Sequence, residues 1–211
     1  MIPLRDDFRG WLRSPRRLLV LLFLILPVAS AVAHPHIWVD SRVEVRAAGT
    51  SLEAVRAYWT FDPFFSEMIL FDYGRPRGEG GAFTAAQVED IRQGAFENLR
   101  HYGFFTVLRV NGERRAVERV ENFSTFLDEE ESLVYAFDIP LNVSVPPAGV
   151  ELAVSMYDET FFTDMMFSEP YATVSGDQDL RFTMNRTREV HSIPIWGEMN
   201  RETIVFRFRR R

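Results

Sequence analysis

The chain has 211 residues and contains neither cysteine nor lysine. Without cysteine there are no disulfide staples, no thiolate metal sites and no cysteine nucleophile. Without lysine every fixed cation is an arginine. Histidine is scarce, with four in all: His34, His36, His101 and His191. No serine lies in a G-x-S-x-G setting, and no H-E-x-x-H helix or glycine-rich phosphate loop occurs. The sequence does not announce an enzyme.

Long apolar runs are confined to the N-terminus. Residues 1–17 are a basic head with five arginines, residues 18–27 (LLVLLFLILP) are apolar, and residues 28–33 (VASAVA) are small. Basic head, apolar core and small-x-small ending are the three parts of an export signal. Cleavage after Ala33 is expected, giving a periplasmic protein that begins His34-Pro35-His36. The uncharged stretch 18–33 is shorter than the roughly 20 residues that span a bilayer. Of the 24 cations and 30 anions, the leader holds five and two, so the remainder carries 19 against 28 and a net charge of −9. An acidic surface disfavours nucleic acid and attracts cations.

The remaining pattern predicts an α+β fold: mainly antiparallel β-sheet, arranged as a sandwich, with two helices inserted in the N-terminal half. Residues 36–46 and 52–61 read as a strand hairpin. Asp62 and Pro63 open a helix whose apolar stripe is Phe65, Met68, Ile69 and Phe71. Thr84 and Gln87 form a capping box for a second helix that runs to Gly103. Strands are expected at 104–110 and 114–120 about an Asn111-Gly112 turn, then at 123–127, 133–139, 150–157, 171–174, 180–184 and 203–208. Residues 34–167 form the main domain, and 168–211 a β-rich C-terminal extension packed on it.

Several blocks resemble one bacterial exported family. They are residues 34–40 (HPHIWVD), 59–62 (WTFD), 98–106 (NLRHYGFFT) and 157–162 (YDETFF). In this order they are similar to the domain of unknown function 1007 family, often labelled the periplasmic component of an uncharacterised ABC-type transport system. The resemblance spans roughly residues 33–162 and weakens beyond Phe167. It implies a role linked to nickel, cobalt or zinc transport. Two positions depart from the family pattern. Asp72-Tyr73-Gly74-Arg75-Pro76-Arg77 lacks the family's acidic calcium-loop-like stretch, and Glu159 stands where proline is usual.

Cleavage before His34 frees an α-amine that titrates near pH 8 and can chelate a metal together with its own imidazole. His36 adds a second imidazole, because residues two apart on a strand face the same way. Pro35 has no N–H, which blocks the square-planar amide mode of Cu(II) and Ni(II). The donor set therefore suits Zn, Ni, Co or Cu. Further ligands are sought among Asp62, His101, Asp158 and Glu159. Asp40 lies ~13 Å from His36 on an extended strand and is expected to act only indirectly.

Asp62 also reads as a plain helix cap, and His101 as a partner of terminal helix carbonyls. His191 is expected on a surface loop. Phe161, Phe162 and residues 165–167 (MMF) are a candidate exposed docking patch. The leading expectation is a metal-binding accessory protein whose partners are the metal ion and an inner-membrane transporter. The alternatives are a copper histidine-brace oxidoreductase and a metal-free interaction module.

Overall fold

In a computed structural model, residues 37–211 other than Asp177 and Ile195 are described. The expected export leader, His34 and His36 lie outside them. The chain opens with β1 (Ile37–Ala48) and β2 (Ser51–Phe61), an antiparallel hairpin in which Val43 faces Ala57 and Val45 faces Val55. Their alternate residues, Val39, Val43 and Val45 on β1 and Val55, Ala57 and Trp59 on β2, are buried, as a half-covered sheet requires.

The hairpin runs straight into α1 (Pro63–Tyr73). Asp62 caps it by accepting from the Phe64 and Phe65 amides, and proline fills the first helical position. The inward face is Phe65, Ile69 and Leu70, whereas Met68 and Phe71 point out. The expected stripe was therefore partly misplaced: Leu70, not Met68 or Phe71, completes the contact with the core.

Helix α2 (Ala85–Ile91) begins at the expected capping box, with the Gln87 amide on the Thr84 hydroxyl and the Thr84 amide on the Gln87 side chain. It does not continue as one α-helix to Gly103. A π-helical turn (Arg92–Phe96) and a 3-10 segment (Glu97–Phe105) replace it. Gly94 shows why a glycine is needed here, since a Cβ at this position would overlap the Tyr73 hydroxyl of α1.

The remainder is strand: β3 (Thr106–Val110), β4 (Glu113–Arg115), β5 (Glu121–Leu127), β6 (Leu133–Ser144), β7 (Val150–Met156), β8 (Thr163–Ser175), β9 (Leu180–Ile193) and β10 (Gly197–Arg210). They form two five-stranded sheets, ordered β5-β6-β2-β1-β8 and β4-β3-β7-β10-β9. Two departures from expectation matter. β4 stops at Arg115 and does not reach residue 120. β8 pairs with β1 in parallel, Ile37 opposite Thr163 and Val39 opposite Met165.

The last three strands are much longer than the sequence suggests. β10 sits between β7 and β9 in its sheet, and β8 lies beside β1 in the other, so the strands beyond residue 167 are built into the same two sheets. The inner faces of both sheets share one core. Trp59 joins them: its ring stands edge-on to Phe137 at 4.9 Å, and its indole N–H points at Met156 Sδ of the other sheet at 3.4 Å.

Candidate functional site

Where β1 starts, the chain between β7 and β8 (residues 157–162) crosses from the second sheet to the first. A pocket of about 350 Å³ opens at this end of the molecule. Its walls are Ile37 and Val39 of β1, Trp59 and Phe61 of β2, Phe65 of α1, Ala95 and Leu99 of the distorted helix, and Tyr135 of β6. Tyr102, Phe105, Phe162 and Met165 complete the apolar lining, and Asp158, Thr160 and Thr163 supply a polar edge.

Asp158 is only 3% exposed. Its Oδ1 accepts from the Thr160 amide at 2.8 Å and the Thr160 hydroxyl at 2.7 Å, and its Oδ2 accepts from the Thr163 amide at 3.0 Å. An aspartate that bonds backbone two residues on makes a turn of its own. Here the turn launches β8 beside β1. Three of the roughly four carboxylate lone-pair positions are thereby taken.

Asp62 makes a matching clasp from the other side. Its Oδ2 accepts from the Trp38 amide at 2.9 Å while Oδ1 caps α1, and its own amide donates to the Trp38 carbonyl at 3.0 Å. The two carboxylates therefore bracket the first residues of β1. His36 immediately precedes Ile37 in the chain.

The other two expected ligands lie elsewhere. His101 is exposed and its ring takes a long 3.4 Å bond from Arg100 Nε. It shares a separate cleft with Glu159, but Arg100, Arg114 and Arg115 line that cleft too. Three guanidinium groups repel a metal cation. Among the described residues no three histidine, aspartate or glutamate side chains converge on one point. Asp40, on the outer face of β1, accepts from the Ser168 hydroxyl at 2.6 Å.

His191 is not on a loop. It sits in β9, 6% exposed, with Nε2 3.3 Å from the Ser155 hydroxyl and Nδ1 3.2 Å from the Tyr157 hydroxyl. Burial, then the nearby Arg109, Arg114 and Arg201, hold its pKa below the ordinary value. Serine and histidine meet here with no carboxylate on the imidazole among the described residues, and the neighbouring Glu189 is paired with Arg109. This is a structural hydrogen-bond hub rather than a nucleophilic triad.

The expected docking patch also divides. Met165 and Phe167 point into the core, because alternate residues of β8 face opposite ways. Phe161 packs against Trp196 and lies under the Arg201 guanidinium, while Phe162 and Met166 stay half exposed.

Two further groups escaped sequence reasoning. Asp138, buried in the outer face of the first sheet, bonds Arg46 at 3.1 Å, Arg56 at 2.9 Å and Asn122 at 2.7 Å. Tyr135 is 1% exposed, and its hydroxyl has no hydrogen-bond partner among the described residues. Burial pushes that hydroxyl's pKa well up. Nothing in a strand's alternation distinguishes a tyrosine with an unmatched hydroxyl from a satisfied one.

A family model described as "Protein of unknown function (DUF1007)" matches residues 19–190. The chain belongs to the DUF1007 family. The match covers the whole pocket and most of β9, so kinship extends well past Phe167, where the block-by-block resemblance fades. The DUF1007 chain is also 33% identical over 89 residues to the "Uncharacterized 15.5 kDa protein in trpE 3'region" of Spirochaeta aurantia. That alignment takes in 42% of this chain and 62% of the relative.

Proposed function

We propose that the protein is an exported, periplasmic accessory protein of a divalent-metal transport system, built on an α+β sandwich. In this reading the chain is cleaved after Ala33, and His34 and His36 are the primary ligands for Zn, Ni, Co or Cu. One observation supports it: β1, whose first residue Ile37 follows His36 in the sequence, starts between two carboxylates, Asp62 bonded to Trp38 and Asp158 bonded to the partner residue of Ile37. Each carboxylate has about one lone-pair position left for a metal.

Asp158 is the better closing ligand because it lines the pocket as well. Two imidazoles, the terminal amine and a carboxylate make the mixed nitrogen–oxygen set that these metals accept. The arginine-lined cleft makes His101 and Glu159 weaker candidates. The ABC-type transport label carried by this family belongs to the same proposal, with an inner-membrane transporter as partner.

The test is native mass spectrometry of protein isolated from the periplasm, with and without chelator. The expected species starts at His34 and carries one chelator-removable divalent metal. His34→Ala with His36→Ala should abolish loading, and Asp158→Asn should weaken it about 10- to 100-fold. A protein that stays metal-free after incubation with each of the four metals overturns the reading.

A specific observation favours a second reading, a metal-free interaction module. Phe64, Met68 and Phe71 stand at i, i+4 and i+7 of α1, all exposed, giving the helix a second apolar face toward solvent. A transporter surface that covers this face would lose affinity when Phe64 and Phe71 become serine.

A further inference from the structure

A sheet edge offers a row of unpaired N–H and C=O groups, and proteins blunt such edges with short strands, prolines or bulges. Three of the four edges of the two sheets are treated in that way. β4 is only 3 residues long, β5 loses register against β6 between Glu121 and Ser124, and β8 contains Pro170 and loses register against β1. β9 is the exception. It runs for 14 residues without glycine or proline, keeps one register against β10, and has no strand on its other side among the described residues.

The β9–β10 ladder fixes which groups of that edge face outward. The Arg211 amide donates to the Asp179 carbonyl at 3.0 Å, one step beyond the pairing of Arg210 with Leu180. Odd-numbered residues of β9 therefore bond β10, and the even-numbered ones turn their N–H and C=O groups away from it. Phe182, Met184 and Val190, three of these even-numbered residues, are also exposed side chains.

We infer that β9 is a self-pairing edge: two copies of this chain join their β9 strands antiparallel about a two-fold axis at Asn185. On that axis Arg181 faces Glu189 and Thr183 faces Thr187, each pair occurring twice. These odd-numbered residues form the close, non-hydrogen-bonded pairs, where opposite charges and paired threonines stabilise most. Phe182 faces Arg188, a cation over a ring, and Leu180 faces Val190. Neighbouring axes bring like charges together. An axis at Met184 sets Glu189 against Asp179, and one at Arg186 or Thr187 sets arginine against arginine. The strand is thus self-complementary in one register, which selects a second copy rather than a foreign strand as its partner. A two-fold pairing also closes on itself and leaves no β9 edge for further growth. The inference stands apart from any metal at His34 and His36 and from the exposed face of α1.

The test is sedimentation velocity of the full chain, processed as in the cell and kept in chelator, over a concentration series. Reversible dimerisation is expected. Arg181 is exposed, and Arg181→Glu should weaken the dimer about 2- to 30-fold, the worth of two cross-strand ion pairs. Glu189→Arg should do the same. Mixing the two single variants should restore dimers, because both facing positions then carry opposite charges again. Glu189 also pairs with Arg109, so Met184→Pro provides a second variant that deletes an outward N–H and leaves the β9–β10 ladder whole. It should give single chains with an unchanged far-ultraviolet circular dichroism spectrum. A single-chain mass at every concentration of the unaltered protein overturns the inference. A dimer that survives both Arg181→Glu and Met184→Pro is held by another surface and overturns it as well.

Discussion

The carboxylate of Asp62 holds the backbone amide of Trp38 at 2.9 Å across 24 residues of chain. One side chain therefore caps α1 and pins the start of β1. Helix-cap aspartates are worth about 0.5–2 kcal/mol, and a further charged hydrogen bond adds about 1.5–3 kcal/mol. Asp62→Ala is expected to cost about 2–4 kcal/mol in urea unfolding, more than a cap alone. Trp38→Pro, which deletes the bonded N–H, should remove only the second part. A cost for Asp62→Ala below about 1 kcal/mol would show that the clasp contributes nothing beyond the cap.

Gly94 and Tyr73 form a steric lock between the two helices. A Cβ on residue 94 would overlap the tyrosine hydroxyl and lie 3.0 Å from its ζ carbon. Alanine normally improves a helix by about 1 kcal/mol over glycine. Here Gly94→Ala is expected to destabilise by about 1–3 kcal/mol through overpacking. Combining it with Tyr73→Phe should recover part of that loss, so the double-mutant cycle has a non-zero coupling. Additive effects would contradict the contact.

His191 makes stability depend on pH in a defined direction. Its folded pKa lies below the ordinary 6.5, so the unfolded chain binds the proton more readily. Its contribution is complete above about pH 6.5 and is lost as pH falls from there toward the folded pKa. His191→Leu leaves the Tyr157 hydroxyl without its imidazole and should cost about 1–3 kcal/mol at pH 7.5. The gap between wild type and variant should shrink by pH 5. Parallel stability curves from pH 7.5 to 5 would assign the histidine no titrating role.

Local rules carried much of the fold. The β1–β2 hairpin, the Asp62 and Thr84 caps and the mainly β character were legible, because alternation and capping are written within a few residues. What the sequence hid was non-local. The parallel pairing of β8 with β1 depends on the Asp158 turn, and three short apolar runs gave no sign that β8 to β10 extend to 13 or 14 residues. At the site, Asp62 and Asp158 were recognised as candidates, and Asp62 also as a cap, though the Trp38 amide on Asp62 and the Thr160 and Thr163 donors on Asp158 were not foreseeable from spacing. Tyr135 was invisible, since its distinction is a missing partner. His191 was misplaced because its neighbours Ser155, Tyr157 and Thr203 come from β7, the turn that follows it and β10.

Asp138 tests the opposite face of the first sheet. It is buried, and Arg56, which it holds, is itself largely covered, while Arg46 is more open. Removing one member of a buried pair leaves an uncompensated charge and costs about 3–5 kcal/mol. Asp138→Ala should fall in that range, and Arg46→Ala well below it because its guanidinium is hydrated already. Changing Asp138 to Leu together with Arg56 to Met should cost much less than Asp138→Ala alone. If the double replacement is as damaging, the network's value lies in its shape rather than in charge pairing.

Neighbouring residues on α1 separate core from surface most sharply. Leu70 is buried in the shared core, whereas Phe71 is 89% exposed. Leu70→Ala is expected to cost about 2–5 kcal/mol, the usual range for a buried leucine. Phe71→Ser removes a larger apolar group but should move stability by no more than about 0.5 kcal/mol, because that ring gives up no contact with water on folding. The pair of thermal melts therefore decides whether α1 offers its Phe64, Met68 and Phe71 face to solvent. A large loss for Phe71→Ser would place that ring in the core and remove the basis for a docking face on this helix.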